Sequence, residues 1–234
     1  MGTAAPESPF WVEINGRRRT AWTCTPSAIE ELVLGRLLTD GYITRPDELV
    51  RLEHCDEPEG CIGVRVSIPE TNVARVAQER RHVREQGCGL LHFVTCETAT
   101  IQLPRAAALP DAAALRVAFR SLFTATDAAY PDGGMHAAAV WAGDALLTPC
   151  FDVGRHNTVD RALGRALREG VALGAAGLLL SSRVSGAIAL KAARAGIGFL
   201  ASRSIPTTLA EQIAAAGALP IIARAGAGAE RSDR

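Results

Sequence analysis

The chain has 234 residues, 48% of them hydrophobic, enough to bury a core as one large domain or two small ones. Its 25 Lys and Arg balance its 25 Asp and Glu, and zero net charge argues against a general nucleic-acid or membrane-surface binder. The six cysteines are scattered, no apolar leader opens the chain, and no apolar run reaches the roughly 18–20 residues of a membrane span. These features predict a cytoplasmic protein with free thiols.

The first part of the chain predicts strands and one helix. Residues 10–14 alternate between apolar and polar side chains and run into Asn15-Gly16, which is a hairpin signal. Thr25 is the expected cap of a helix with an apolar stripe, and residues 61–68 alternate again as a strand. We therefore expect a smaller α+β domain over residues 9–104.

The second part predicts a parallel α/β layer. Short apolar runs at residues 178–180, 197–201 and 219–223 show no alternation, as in strands that are buried on both faces. Helical stretches separate these runs, and Thr208-x-x-Glu211 predicts a capping box at the start of the last helix. A β-α-β-α-β order gives a parallel sheet with helices on its faces, so we expect a second domain over residues 105–225.

Polar segments follow the predicted strands at their carboxyl ends, which is where open parallel sheets bind ligands. Residues 152–157, 181–185 and 202–208 each lead into a helix, whose first amides are unpaired donors. Each segment carries an arginine, so together they predict a pocket for a phosphate-rich or otherwise anionic ligand. The candidate cofactor-binding residues in these segments are Asp152, Arg155, His156, Asn157, Arg183, Ser185, Ser202 and Thr207.

A second candidate loop spans residues 132–136. Gly133 and Gly134 allow backbone conformations that bring amides close to a ligand, and His136 begins a predicted strand. Each of these candidate residues also has a purely structural interpretation. Ser and Thr cap helices, Arg commonly lies on the surface, and a lone His is commonly packed in a core. Asp152 is expected either to orient a neighbouring basic side chain or to form a local turn hydrogen bond.

Cys88 is the candidate reactive thiol. Gly87 and Gly89 flank it, and basic residues at positions 80–84 are expected to lower its pKa and make it a better nucleophile. The alternative is a buried free cysteine, which we predict for the other five. The chain has neither the Cys-x-x-Cys nor the His-x-Glu pattern of a zinc deaminase, so we expect no metal site of its own.

Several motifs resemble those of the FdhD family of formate dehydrogenase accessory proteins. Residues 151–161, Phe-Asp-Val-Gly-Arg-His-Asn-Thr-Val-Asp-Arg, resemble its E-D-V-G-R-H-N-A-V-D-K signature. Further similarities are residues 24–26 to its C-T-P, residues 133–138 to its G-G-x-H-A-A, residues 181–185 to its S-G-R-V-S and residues 204–207 to its S-A-P-T. The motifs keep the family's order from about Trp11 to Arg224.

The resemblance implies a fold and a function. The C-terminal half is expected to be a cytidine-deaminase-like α/β/α sandwich with a mostly parallel sheet. The family binds the bis-molybdopterin guanine dinucleotide form of the molybdenum cofactor, through its guanine-nucleotide part. It takes persulfide sulfur from a cysteine desulfurase and passes it to the metal centre of a formate dehydrogenase. A homodimer is also expected, with Cys88 as the persulfide carrier.

One departure from the family pattern bears on mechanism. The family usually carries Cys-Gly-x-Cys, whereas Leu91 stands here in place of the second cysteine after Cys88. A single persulfide can still form on Cys88, but a local two-thiol relay cannot operate. Two functions stay open: a sulfurtransferase, and a non-catalytic chaperone that holds the molybdenum cofactor. A nucleoside deaminase is disfavoured, because the zinc-binding patterns are missing.

Overall fold

The computed structural model describes residues 4–55, 60–79, 109–143 and 145–226. These residues form two sheets and six α-helices, and none of the described helices is long and apolar enough to cross a membrane. The elements are β1 (Ser8–Ile14), β2 (Arg18–Cys24), α1 (Ile29–Thr39), β3 (Arg51–Cys55), β4 (Ile62–Ser67), α2 (Glu70–Glu79), α3 (Ala112–Ala129), β5 (His136–Ala142), β6 (Ala145–Leu146), β7 (Cys150–Asp152), α4 (Arg155–Arg168), β8 (Ala176–Leu180), α5 (Gly186–Ala195), β9 (Phe199–Ser202), α6 (Thr208–Ala216) and β10 (Ile221–Ile222).

The N-terminal sheet has the strand order β2-β1-β4-β3. β1 and β2 form the predicted hairpin, with Asn15 and Gly16 at φ values of 50° and 66°, where the turn needs residues that tolerate positive φ. β4 is the strand predicted over residues 61–68, and it pairs with β1 in parallel. Alternate β1 side chains, Phe10, Val12 and Ile14, enter the main core.

The C-terminal sheet has the order β10-β9-β8-β5-β6, with β7 paired to β5. β8, β9 and β10 are parallel, as the β-α-β-α-β pattern predicted. β5 runs antiparallel to each of its three neighbours, so five of the six strands point in one direction. The expected mixed α/β fold is confirmed, whereas the likeness to cytidine deaminases stays a prediction.

Helices cover both faces of the C-terminal sheet. Phe119 and Leu122 of α3 pack on one face, against Leu179 and Phe199. The opposite face, which includes Val140, joins a larger core to which α1, α4, α5 and the N-terminal sheet all contribute. The two regions therefore share one continuous core. The predicted boundary between residues 104 and 105 lies outside the described residues.

α1 and α4 cross in backbone contact. A methyl group on Gly35 would overlap the backbone oxygen of Asp160, and one on Gly164 would overlap that of Glu31. No other residue fits at either position without separating the helices. This crossing attaches the helix of the N-terminal region to the C-terminal layer.

Two predicted helix caps are wrong. α1 is preceded by Ala28, in the left-handed region at φ 45°, and the side chain of Thr25 does not cap it. Thr25 is buried, and its Oγ1 accepts a hydrogen bond from Val153 N at 3.1 Å. In α6 the cap is Thr207, whose Oγ1 accepts from Ala210 N at 3.3 Å, so the Thr208–Glu211 capping box does not form.

The helix crossing makes a prediction about stability. Gly164→Ala should lower the free energy of unfolding by about 3 kcal/mol or more, because its methyl group overpacks backbone against backbone. Gly170→Ala, just beyond the end of the same helix, is the matched control. Gly170 has φ 72° and open space around its Cα, so that variant should lose only the ~1–2 kcal/mol of left-handed strain. Urea unfolding measures both variants, and equal losses would contradict the backbone-contact account.

Candidate active site at the strand ends

Strand register brings the four predicted segments to one edge of the C-terminal sheet. His136 lies opposite Asp152, and Leu180 lies opposite both Ala138 and Ser202. A further bridge joins Val184 to Pro206, which ties the turns after β8 and β9 together. The segments around residues 133–136, 152–157, 181–185 and 202–207 are therefore neighbours, although up to 70 residues separate them in the chain.

This edge presents donors and positive charge. α4, α5 and α6 all begin here, so their first amides lie at the same edge, with one amide each of α5 and α6 capped by a hydroxyl. Arg183 is exposed and Arg155 is half-buried at the first position of α4. Gly133 and Gly134 are exposed at φ 81° and 80°, so the loop before β5 takes a backbone conformation that suits glycine. The arrangement is suited to binding an anionic group.

His136 is half-buried at the start of β5. Burial lowers the pKa of its imidazole, and the nearby Arg155 guanidinium lowers it further, while Asp152 acts in the opposite direction. His136 is therefore neutral at pH 7 and can offer one ring N–H donor and one acceptor.

Asp152 is fully buried and forms an ion pair with Arg161. Its Oδ2 accepts from Arg161 Nε at 3.0 Å and Nη2 at 2.8 Å, and from Thr25 N at 3.2 Å. Its Oδ1 accepts from Gly154 N at 2.8 Å and Asn157 Nδ2 at 2.9 Å. The carboxylate thus fixes the loop that leads into α4. The predicted local turn hydrogen bond is therefore present, in the contact with Gly154 N, and the basic side chain that Asp152 orients is Arg161, not Arg155 or His156.

Arg161 extends the same network to the start of α1. Its guanidinium donates to the backbone oxygens of Thr25 at 2.6 Å and Ala28 at 2.8 Å. Asn157 is buried as well and donates to Thr23 O at 2.9 Å. The signature segment therefore connects the end of β2 to the start of α4.

Three of the predicted hydroxyl ligands have structural partners. Ser185 caps α5 by accepting from Ile188 N at 3.4 Å, and Thr207 caps α6. Ser202 is fully buried, and its Oγ donates to Ser182 O at 2.7 Å. These hydroxyls shape the turns, so the candidates best placed to face a ligand are Arg155, Arg183, His136 and the two glycines.

His156 lines a small cavity between α1, α4 and α5. Its Nε2 is buried and has no hydrogen-bond partner among the described residues. Burial, together with the positive charges of Lys191 and Arg155, lowers the pKa of His156 to about 4.

A second buried network was not predicted from the sequence. Lys191 Nζ lies 2.7 and 2.8 Å from the two carboxylate oxygens of Asp160 and 2.9 Å from Thr39 Oγ1. Thr39 also donates to Asp160 at 2.7 Å. Lys191 is the single lysine in a chain that otherwise uses arginine, and this composition was the signal that could have revealed it. The network joins α1, α4 and α5.

Comparisons with known proteins give the family. The model of the FdhD/NarQ family matches residues 5–229. The chain belongs to this family. It is 34% identical over 217 residues to the sulfur carrier protein FdhD of Bordetella petrii, covering 90% of this chain and 77% of the relative. It is 33% identical over 215 residues to that of Bacillus subtilis, covering 89% and 79% of the two chains.

A solved structure supports the same fold. The crystal structure of a proposed formate dehydrogenase accessory protein from Desulfotalea psychrophila is similar, with a TM-score of 0.70 and 24% identity. The similarity covers 97% of this chain and 84% of the other.

Two cysteines of this FdhD/NarQ family member are unsuited to nucleophilic chemistry. Burial raises the pKa of Cys24 to about 12 and that of Cys150 to about 11, so both thiols stay protonated at pH 7. Cys55 and Cys61 are half-buried free thiols. Cys88 and Leu91, on which the predicted chemistry depends, lie outside the described residues.

No metal cluster is formed by the described part of the chain. Residues 4–55, 60–79, 109–143 and 145–226 contain no group of three or more His, Cys, Asp or Glu placed to hold an ion.

We expect the loss of the buried Asp152–Arg161 ion pair to lower the stability of the protein substantially. Arg161→Met should destabilise the protein by about 3–5 kcal/mol, because it leaves a buried carboxylate without its countercharge. Arg17→Met is the control, since the Arg17–Glu70 pair is exposed and contributes little. Thermal and urea unfolding compare the two variants. Similar losses in both would show that the buried pair contributes no more than the exposed one.

His156 predicts a pH dependence of stability. Its folded-state pKa of about 4 lies below the ~6.5 of an unfolded chain, so unfolding takes up a proton between these values. Stability should therefore be complete above about pH 6.5 and fall as the pH is lowered towards 4. His156→Gln, which cannot titrate, should flatten this part of the curve. Denaturant unfolding at each pH measures both proteins, and identical curves would contradict the assignment.

Proposed function

We propose that this protein is a sulfur carrier that accepts persulfide sulfur from a cysteine desulfurase and sulfurates a molybdenum cofactor for the activation of formate dehydrogenase. The supporting observation is the donor-rich sheet edge, in a chain whose relatives are named sulfur carrier protein FdhD. The cofactor, bis-molybdopterin guanine dinucleotide, is cargo that the protein sulfurates and hands on.

The sheet edge is suited to the nucleotide part of this cargo. A pyrophosphate needs several donors at once, and the first amides of α4, α5 and α6 together with Arg155 and Arg183 supply them. Gly133 and Gly134 allow close approach of the backbone, and His136 adds a neutral donor and acceptor. Asp152, Asn157, Ser185, Ser202 and Thr207 contribute by fixing the positions of these groups.

Sulfur transfer begins at Cys88. Its thiolate attacks the outer sulfur of a desulfurase persulfide, so that a new S–S bond forms and the desulfurase cysteine leaves as a thiolate. On delivery the S–S bond of the Cys88 persulfide breaks, and Cys88 recovers a thiolate. Reducing the transferred sulfur to a sulfide ligand takes two electrons, which two external thiols supply by forming a disulfide. External thiols are needed because Leu91 removes the local second thiol.

The sulfur carrier is proposed to act in the cytoplasm as a homodimer. Its partners would be a cysteine desulfurase, which supplies sulfur, and a formate dehydrogenase or related molybdoenzyme, which receives the cofactor.

A second function is favoured by one observation. Leu91 stands at the position where the family pattern has its second cysteine. The chain is therefore also suited to a chaperone function, in which it holds the molybdenum cofactor without transferring sulfur. In that function the sheet edge keeps its role and Cys88 has none.

Sulfur loading separates the two functions. After incubation with a cysteine desulfurase, cysteine and pyridoxal phosphate, intact-mass analysis should show one added sulfur atom, and peptide mapping should place it on Cys88. Cys88→Ala should abolish the gain. Cys55→Ala, which removes a half-buried thiol, should retain it. Loading that persists in Cys88→Ala would contradict the carrier role of that residue.

Absence of loading on every cysteine of a folded protein would favour the chaperone. Cofactor retention then becomes the second readout. Arg155→Ala should reduce retained guanine dinucleotide, measured after gel filtration, while Arg116→Ala should not, because Arg116 is exposed on α3 away from the sheet edge. Equal retention in both variants would contradict the proposed nucleotide site.

A further inference from the structure

A small cavity lies between α1, α4 and α5, and the residues that line it do not include His136, Arg155 or Arg183 of the sheet edge. Its volume is about 20 Å³, and its polar walls include Arg36, His156, Lys191 and Arg194. One water needs ~10–15 Å³ of such space, so the cavity has room for a water or for a monatomic or diatomic ion. A nucleotide does not fit.

The imidazole of His156 lacks a partner in this cavity. Its Nε2 is buried without a hydrogen bond from any described residue, although buried polar atoms are normally paired. His156 is neutral at pH 7, and its tautomer with the proton on Nε2 offers one donor towards the cavity. The unpaired nitrogen therefore indicates a missing hydrogen-bonding group at this position.

The electrostatic surroundings favour negative charge. Lys191, Arg155 and Arg36 are the cations that act most strongly on the His156 ring, and each disfavours its protonation, as does the neighbouring His136. Carboxylates also face the region: Asp160 accepts from Lys191, and Asp40 forms an ion pair with Arg36. These ion pairs engage Lys191 and Arg36 as well as the carboxylates, and the charges that act most strongly on the His156 ring are still the positive ones.

We propose that this cavity binds a small inorganic monoanion, held by the Nε2–H of His156 and the cationic walls contributed by α1 and α5. Hydrosulfide and the halides belong to this class. The anion supplies the missing hydrogen-bond acceptor and balances the positive surroundings, which a water molecule does only in part. The proposal does not depend on sulfur transfer by Cys88 or on nucleotide binding at the sheet edge.

Anion binding is linked to the protonation of His156. A negative charge beside the ring favours the imidazolium, so the bound anion should raise the pKa of His156 from about 4. By the same linkage, the anion should bind more tightly as the pH falls.

An NMR titration of the full-length protein tests the site. Sodium bromide is added at pH 7 to protein with ¹³C-labelled histidine, at an ionic strength kept constant with gluconate, whose anion is too large for the cavity. The titration is repeated anaerobically with sodium hydrosulfide. The His156 resonances should shift saturably with at least one anion, and its pKa should rise. His54, exposed on β3, is the internal control and should not respond.

Two variants locate the binding. Ala187 lines the cavity, and Ala187→Leu should abolish the saturable shift by filling it without changing charge. Ala215→Leu, at an exposed position of α6, is the matched control and should bind normally. Arg194→Gln should weaken anion binding about tenfold, because it removes one positive charge from the lining of the cavity. The proposal is overturned if neither anion gives a saturable shift, if His54 responds equally, or if Ala187→Leu binds like the control.

Discussion

The contact between α1 and α4 is the constraint on which the rest of the structure depends. Glycine at positions 35 and 164 lets the two backbones touch, and a single methyl group at either site would force them apart. α1 follows the N-terminal hairpin, and α4 begins at the sheet edge where the candidate ligand-binding residues gather. The distance between these helices therefore fixes how the N-terminal sheet is placed relative to the site.

Two adjacent residues of α4, Asp160 and Arg161, stabilise this helix packing through buried ion pairs with different partners. Arg161 pairs with Asp152 and reaches the backbone before α1, while Asp160 pairs with Lys191 of α5. Ion pairs of this kind are costly to break, because each leaves a desolvated charge behind. Their effect is to hold the start of α4 in place, where Arg155 acts on His136 and His156 lines the cavity between α1, α4 and α5.

The polar residues around the sheet edge divide into those that support it and those that can face a ligand. Buried groups such as Asp152, Asn157 and Ser202 form their hydrogen bonds with other groups of the protein. Arg183 is exposed, and Gly133 and Gly134 are open to solvent. A single motif can thus contain both kinds of residue, and the signature segment at 152–157 does so within six positions.

The sequence by itself determined the local elements and the family. The Asn15-Gly16 hairpin and the apolar runs of β8, β9 and β10 depend on neighbouring residues, so their periodicity could be interpreted directly. The segments that gather at the sheet edge were also predictable, because parallel strands place their carboxyl ends together.

Only the tertiary structure decided which side chains are used for packing. Thr25 meets Asp152 across 127 positions of the chain, and Lys191 meets Thr39 across 152. No local pattern encodes such pairs, which is why Thr25 was mistaken for a cap and the Lys191 network was missed. The cavity that His156 lines was hidden for the same reason: it depends on how α1 and α5 pack beside α4, and that packing is set by contacts distant in sequence.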